Sequence, residues 1–162
     1  GDHRDLHLSI RRQRQMCIRD RPLSFESSMD MKLDFGDYTL GAPHYDYTYV
    51  DRKSETDFKS TMSTGIERFK RELDRAKGFA SYIFVVVESS IDDIIKNNMR
   101  GPYNSNLSYV WHNMRKLTHD YKGHCQFVFS GSRENSEDIV PKILYFGKRL
   151  WDVDLQYFID KR

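Results

Sequence analysis

Asp51-Arg52-Lys53 places an acid and two cations side by side at the end of one extended run. Residues 45–52 are rich in tyrosine, threonine and valine, which favours a strand. Strand side chains alternate between faces, so Asp51 and Lys53 share one face and Arg52 takes the other. A further acid, Asp37, follows Gly36 at the end of the preceding predicted strand. If the two strands pair, Asp37 and Asp51 enter one small site. Two carboxylates on rigid strands make a hard-oxygen site suited to Mg²⁺ or Mn²⁺, and such an ion keeps several waters. A bound ion of this kind lowers the pKa of a water and polarises a phosphoryl oxygen. Lys53, a compact point charge beside the acids, would hold the attacking water or offset charge developing on phosphorus. By spacing alone, the triplet reads as the end of a solvated strand, since an acid-x-Lys triplet is frequent in any charged protein.

The elements that must position these residues alternate between apolar strands and amphipathic helices. Residues 31–35 predict a strand that enters a turn at Gly36-Asp37, and Gly41-Ala42-Pro43 joins it to the next strand as a hairpin with a medium loop. Ile66, Phe69, Leu73 and Ala76 share one helical face, with Arg68, Lys70, Arg71, Asp74 and Arg75 around it and Gly78 to end it. Tyr82–Val87 is a continuous apolar run, the pattern of a strand buried on both faces, with Glu88 at its carboxyl end. A short helix over 91–98, a longer one over 107–121 and a buried strand at Cys125–Phe129 follow. Two helical segments near 137–150 and 153–159 finish the chain, and Pro141 implies a late start or a kink in the first. This order predicts one α/β domain over 22–162, a central mixed β-sheet flanked by helices.

Beyond the acid-x-Lys triplet, the run GDYTL … YVDRKSETDFKSTMSTGIERFKRELDRAKGFASYIFVVVE resembles the nuclease domain of the XPF-type structure-specific endonucleases, a branch of the restriction-endonuclease-like superfamily. That family shows Gly-Asp, a variable gap, Glu-Arg-Lys-x-x-x-Asp, an arginine-bearing helix, and an apolar strand ending in an acid. The matches are Gly36 and Asp37, then Arg52 and Lys53, then Asp57, within residues 33–88. The resemblance implies a restriction-endonuclease-like fold and metal-dependent cutting of DNA near branch points, in repair or recombination. It implies Asp37 and Asp51 as metal ligands for Mg²⁺ (or Mn²⁺) and Lys53 as the catalytic, base-like lysine. Asp57 would be a further acid at a helix start, where it caps backbone N–H groups or orients the site. Homodimerisation is implied by the same resemblance. The chain departs from the pattern twice. Asp51 stands where the family has Glu, and the family's opening strand, ending Asp-x-Arg-Glu, should precede Pro22-Leu23-Ser24-Phe25.

That upstream position falls in residues 1–21, which are arginine-rich with no clear period and resemble a translated sequencing adapter. The reading is a non-native or disordered arm, the alternative a genuine basic arm that meets DNA phosphate; either way it is set aside from the fold. Asp20 lies nearby and is not credited as the missing acid. The first reading is thus an endonuclease that stands alone, of phage or microbial kind, because the chain ends at Arg162 without helix-hairpin-helix modules. The alternative is a non-catalytic DNA-binding partner of the same fold.

Arg68 and Arg71 are candidates for DNA phosphate contacts, as is Arg52; Glu67 and Glu72 offer them ordinary helix-surface partners instead. Glu88 is a possible additional acid, since α/β sites gather at strand ends. Lys59 and Ser60 could line a DNA path. His112, His119, His124 and Cys125 fit no standard zinc spacing. The net charge of +2 over 162 residues neither demands nor excludes nucleic acid. Two cysteines suggest no disulfide framework, so a cytoplasmic location is expected. No apolar run approaches the roughly 20 residues of a membrane span.

Overall fold

Local signals set most element ends. Ser54 accepts a hydrogen bond from Asp57 N and opens α1 (Glu55–Thr61). Ser90 does the same for α3 (Ile91–Arg100), Asn106 for α4 (Leu107–Asp120), Ser132 for α5 (Arg133–Phe146) and Asp154 for α6 (Leu155–Asp160). Each side chain satisfies an N–H group that the first helical turn leaves without a partner, worth about 1 kcal/mol. Helix α2 (Ile66–Gly78) starts without a side-chain cap; it is held by its buried face of Ile66, Phe69, Leu73 and Ala76.

These elements come from a computed structural model, which describes residues 10–13, 28–101 and 105–161. Six strands form one sheet in the order β2-β1-β3-β4-β5-β6: β1 is Ile10–Gln13, β2 Ser28–Met31, β3 Tyr38–Leu40, β4 Thr48–Lys53, β5 Tyr82–Val87 and β6 Cys125–Phe129. β3 runs antiparallel to both β1 and β4, while β4, β5 and β6 run parallel to one another. The sheet is therefore mixed and flanked by helices, the α/β architecture expected.

The core has two halves, one on each face. On one side Ile83, Val85 and Val87 meet Phe58 of α1, Phe69 and Leu73 of α2, and Val110 and Leu117 of α4. On the other, Val50, Phe84, Val86 and Val128 meet Ile139, Val140, Ile143 and Leu144 of α5. Every side chain of β5 is buried, as its unbroken apolar run predicts. Truncating one of its large residues, such as Phe84 to Ala, would cost about 3 to 5 kcal/mol.

Three elements differ from expectation. Residues 32–37 form no strand beyond Met31; Leu33 and Phe35 are buried without joining a ladder, and Gly36 turns the chain at φ +70°. The strand lies after that turn instead, so Asp37 directly precedes β3. Helix α5 starts earlier than predicted, because Ser132 caps it at Arg133 and its apolar face carries it through Pro141. A 3-10 turn, Gly147–Leu150, then takes over the end of that predicted helix. Finally, four residues of the arginine-rich run, Ile10–Gln13, form β1 beside β3. Asp20, Cys17 and the segment at Pro22 lie outside the described residues. No described helix is long and apolar enough to cross a membrane.

Candidate active site

Strand pairing brings the two acids together. Tyr38 pairs with Val50 and Thr39 with Tyr49, so one further step along the antiparallel register sets Asp37 opposite Asp51. Asp37 N donates to Val50 O at 2.8 Å, and Asp37 Oδ2 accepts from Arg52 N at 2.8 Å. Burial pushes the Asp37 carboxyl well above the usual carboxylate range, and the Asp51 charge pushes it further; the Arg52 N–H and the Lys53 ammonium oppose this without winning. Two acids are thus held closer than two full charges tolerate in a dry setting.

Lys53 answers part of that excess. Its Nζ stands 3.0 Å from Asp51 Oδ2 and 5.0 Å above the Phe69 ring. Burial pulls the ammonium pKa down, but Asp51, Asp37 and Glu72 outweigh it and the net shift is upward. As the alternation predicts, Arg52 takes the other face. Its Nη1 meets Glu88 Oε1 at 3.0 Å, just past the end of β5. Both faces open into one cleft of about 810 Å³ across the carboxyl ends of β4 and β5.

The remaining predicted residues divide. Arg68, exposed on α2, lines the cleft, and so do Asp57 and Ser60 of α1. Arg71 is exposed and does not line it, nor does Lys59. The capping expected of Asp57 belongs to Ser54, whose hydroxyl takes the Asp57 N–H at 3.2 Å. Cys125 lies in the core, where burial raises its thiol far above the ordinary value.

Two residues escaped sequence reasoning. Glu72 reads as a helix-surface partner for arginine, yet its Oε1 accepts Gly36 N at 2.8 Å. Its carboxyl is raised by burial and by Asp51. The one signal was its place three residues after Phe69 and beside Leu73, at the border of the buried face. Arg133, at the start of α5, lines the cleft from the other side, and no local pattern indicated that.

The donor set fits a hard divalent ion. Among the described residues no three His, Cys, Asp or Glu side chains form a ready-made cage. Asp37 and Asp51 instead offer two protein oxygens, the number with which Mg²⁺ is often held when water and phosphate complete its shell. A cation there would also offset the burial and the Asp51 charge that together raise Asp37.

No family model and no curated protein matches the sequence. Solved structures do. XPF from Aeropyrum pernix is matched at 17% identity with a TM-score of 0.59, over 92% of this chain and 69% of that one. XPF from Aeropyrum pernix in complex with DNA is matched at 17% identity and a TM-score of 0.59, over 85% of this chain and 63% of that one. At this identity the likeness speaks for the fold: the chain has the α/β architecture of the XPF structures.

Proposed function

We propose that this chain is a metal-dependent DNA endonuclease that hydrolyses phosphodiester bonds in branched or otherwise structured DNA. The observation that carries the reading is the Asp37–Asp51 carboxyl pair with Lys53 Nζ 3.0 Å from it, at the floor of an open cleft. The fold likeness to XPF, one of whose structures is a complex with DNA, supports the same reading.

Asp37 and Asp51 would hold Mg²⁺ or Mn²⁺. When bound, such an ion supplies Lewis acidity to a phosphoryl oxygen and acidifies a water. The chain's own residues do the rest. Asp37 is fixed by the backbone of β4 at Val50 and Arg52, so its carboxyl needs little reorganisation to serve as a ligand. Lys53, steadied over Phe69, donates a hydrogen bond to the attacking water or to the phosphoryl oxygen where charge gathers. Arg68 attracts a flanking phosphate at the cleft edge. Asp57 stands on the same cleft wall, as a further acid of the site rather than a cap.

The test is cleavage of labelled flap, fork, duplex and single-stranded DNA in Mg²⁺, Mn²⁺ or EDTA, with Lys53→Ala and Asp37→Asn alongside. Cutting that needs metal and vanishes in both variants is the expected result. Cutting that survives both would place the activity elsewhere and end this assignment. DNA binding without metal and without cutting would instead identify a non-catalytic partner of the same fold.

A further inference from the structure

Helix α2 reaches the acid pair through one side chain that no motif assigned. Glu72 Oε1 accepts the Gly36 N–H at 2.8 Å, across 36 residues of sequence. Gly36 sits at φ +70°, and a Cβ there would come within 3.3 Å of both Tyr49 Cβ and Val50 O. The turn it makes therefore lies tight against β4, and the next residue is Asp37. Three hydrogen bonds hold this turn: Asp37 N to Val50 O, Arg52 N to Asp37 Oδ2, and Gly36 N to Glu72 Oε1. The first two come from β4, the neighbouring strand. The third comes from the helix that also carries Arg68 and Phe69, one turn earlier. Glu72 lines the cleft itself, and the charges of Asp51 and Lys53 act on it.

We propose that Glu72 is a positioning residue of the cation site: by holding the Gly36–Asp37 turn against α2, it keeps the Asp37 carboxyl opposite Asp51. The inference rests on the reading of Asp37 and Asp51 as cation ligands. It differs from a purely structural role. A structural contact would change how much protein is folded, whereas a positioning contact changes how tightly the folded protein takes the ion. The bond is to a backbone N–H, so it needs an acceptor oxygen and not a charge. Glutamine can supply that oxygen and alanine cannot.

The experiment measures Mn²⁺ affinity by calorimetry, without DNA, for the full chain and for Asp37→Asn, Glu72→Gln and Glu72→Ala. Amide hydrogen exchange at Gly36 is followed in the metal-free protein. Outer partners of metal ligands usually contribute about 10- to 100-fold in affinity, so Glu72→Ala should weaken Mn²⁺ binding by at least about tenfold. Glu72→Gln should stay within a few-fold of the parent and keep Gly36 protected. The parent protein should show slow exchange at Gly36; fast exchange there overturns the proposal even if the alanine variant does not fold. Unchanged Mn²⁺ affinity in a folded Glu72→Ala protein overturns it too, and so does failure of glutamine to restore what alanine loses. If Asp37→Asn leaves Mn²⁺ affinity intact, the ligand reading itself has failed. If Asp37→Asn loses binding while Glu72→Ala does not, only the role of Glu72 falls.

Discussion

Two ion pairs of the same length stand back to back at the end of β4, in different surroundings. Lys53–Asp51 and Arg52–Glu88 are both 3.0 Å long and about equally buried. On the Arg52 side, the guanidinium meets Glu88. On the Lys53 side, one ammonium faces Asp51, Asp37 and Glu72, and two of those carboxyls are pushed up by burial and by Asp51. Burial is shared by both pairs, so it does not distinguish them. The Asp37–Asp51 pair does: two facing carboxyls held in place by backbone hydrogen bonds are what a cation site needs before its cation arrives.

The largest effect should come from the Lys53 side. Asp51→Asn should lower cleavage by roughly 10³-fold, the scale on which losing one preorganised electrostatic group acts. Its thermal stability should hold, because Asp37 can then ionise and, with Glu72, face Lys53. A variant that cuts normally would show that the carboxyl pair has no part in the chemistry.

Next in size is the stability of the opposite pair. Arg52→Ala leaves Glu88 buried without its guanidinium and should cost about 3 kcal/mol. For a domain of this size, thermal melting should drop by roughly 6 to 12 °C. Adding Glu88→Leu to Arg52→Met should recover much of that, since an apolar pair of similar volume often replaces a buried ion pair without loss. If the double variant melts as low as Arg52→Ala, the two side chains are more than a balanced pair.

A smaller effect separates the two arginines of α2. Arg68 lines the cleft and Arg71 does not. Arg68→Ala should reduce the salt dependence of DNA binding, lowering the slope of log K against log salt by about 0.9, the value of one phosphate contact. Arg71→Ala should leave the slope unchanged. Equal slopes in both variants would move the DNA path off this face of the helix.

The smallest effect is a pH profile in EDTA. A carboxyl raised in the folded state adds stability that is complete below its unfolded value, 3.8 for Asp37, and is lost as pH climbs through the raised folded value. The part of metal-free stability that depends on Asp37 should therefore fall on going from acid toward neutral pH. Asp37→Asn should flatten that loss and melt a few degrees higher at neutral pH, a shift of about 1 kcal/mol. Parallel melting profiles would remove the like-charge conflict from the description of this site.

How much of this was legible depended on the range of each interaction. Strand β5 was readable from six apolar residues in a row, and α2 from the spacing of Ile66, Phe69, Leu73 and Ala76. Capping is just as local, and Ser54, Ser90 and Asn106 all stand where the helices begin. Asp37 was readable as a residue but not as a position. The partial alternation over residues 31–35 suggested a strand before it, while the ladder forms after it, at Tyr38–Leu40. The deciding factor was pairing with β4, and pairing partners are not encoded in any single short window.

The sequence by itself determined which side of β4 each charge occupies. A pleated strand alternates by covalent geometry, so Asp51 and Lys53 had to part from Arg52 wherever the strand was placed. It also determined which face of α2 is buried. Only the tertiary structure decided what those faces meet: Asp37 opposite Asp51, Glu88 against Arg52, Glu72 on Gly36, Arg133 across the cleft. Each of those contacts joins segments far apart in the chain, and their geometry follows from strand order and helix docking, which buried area selects across the whole domain at once.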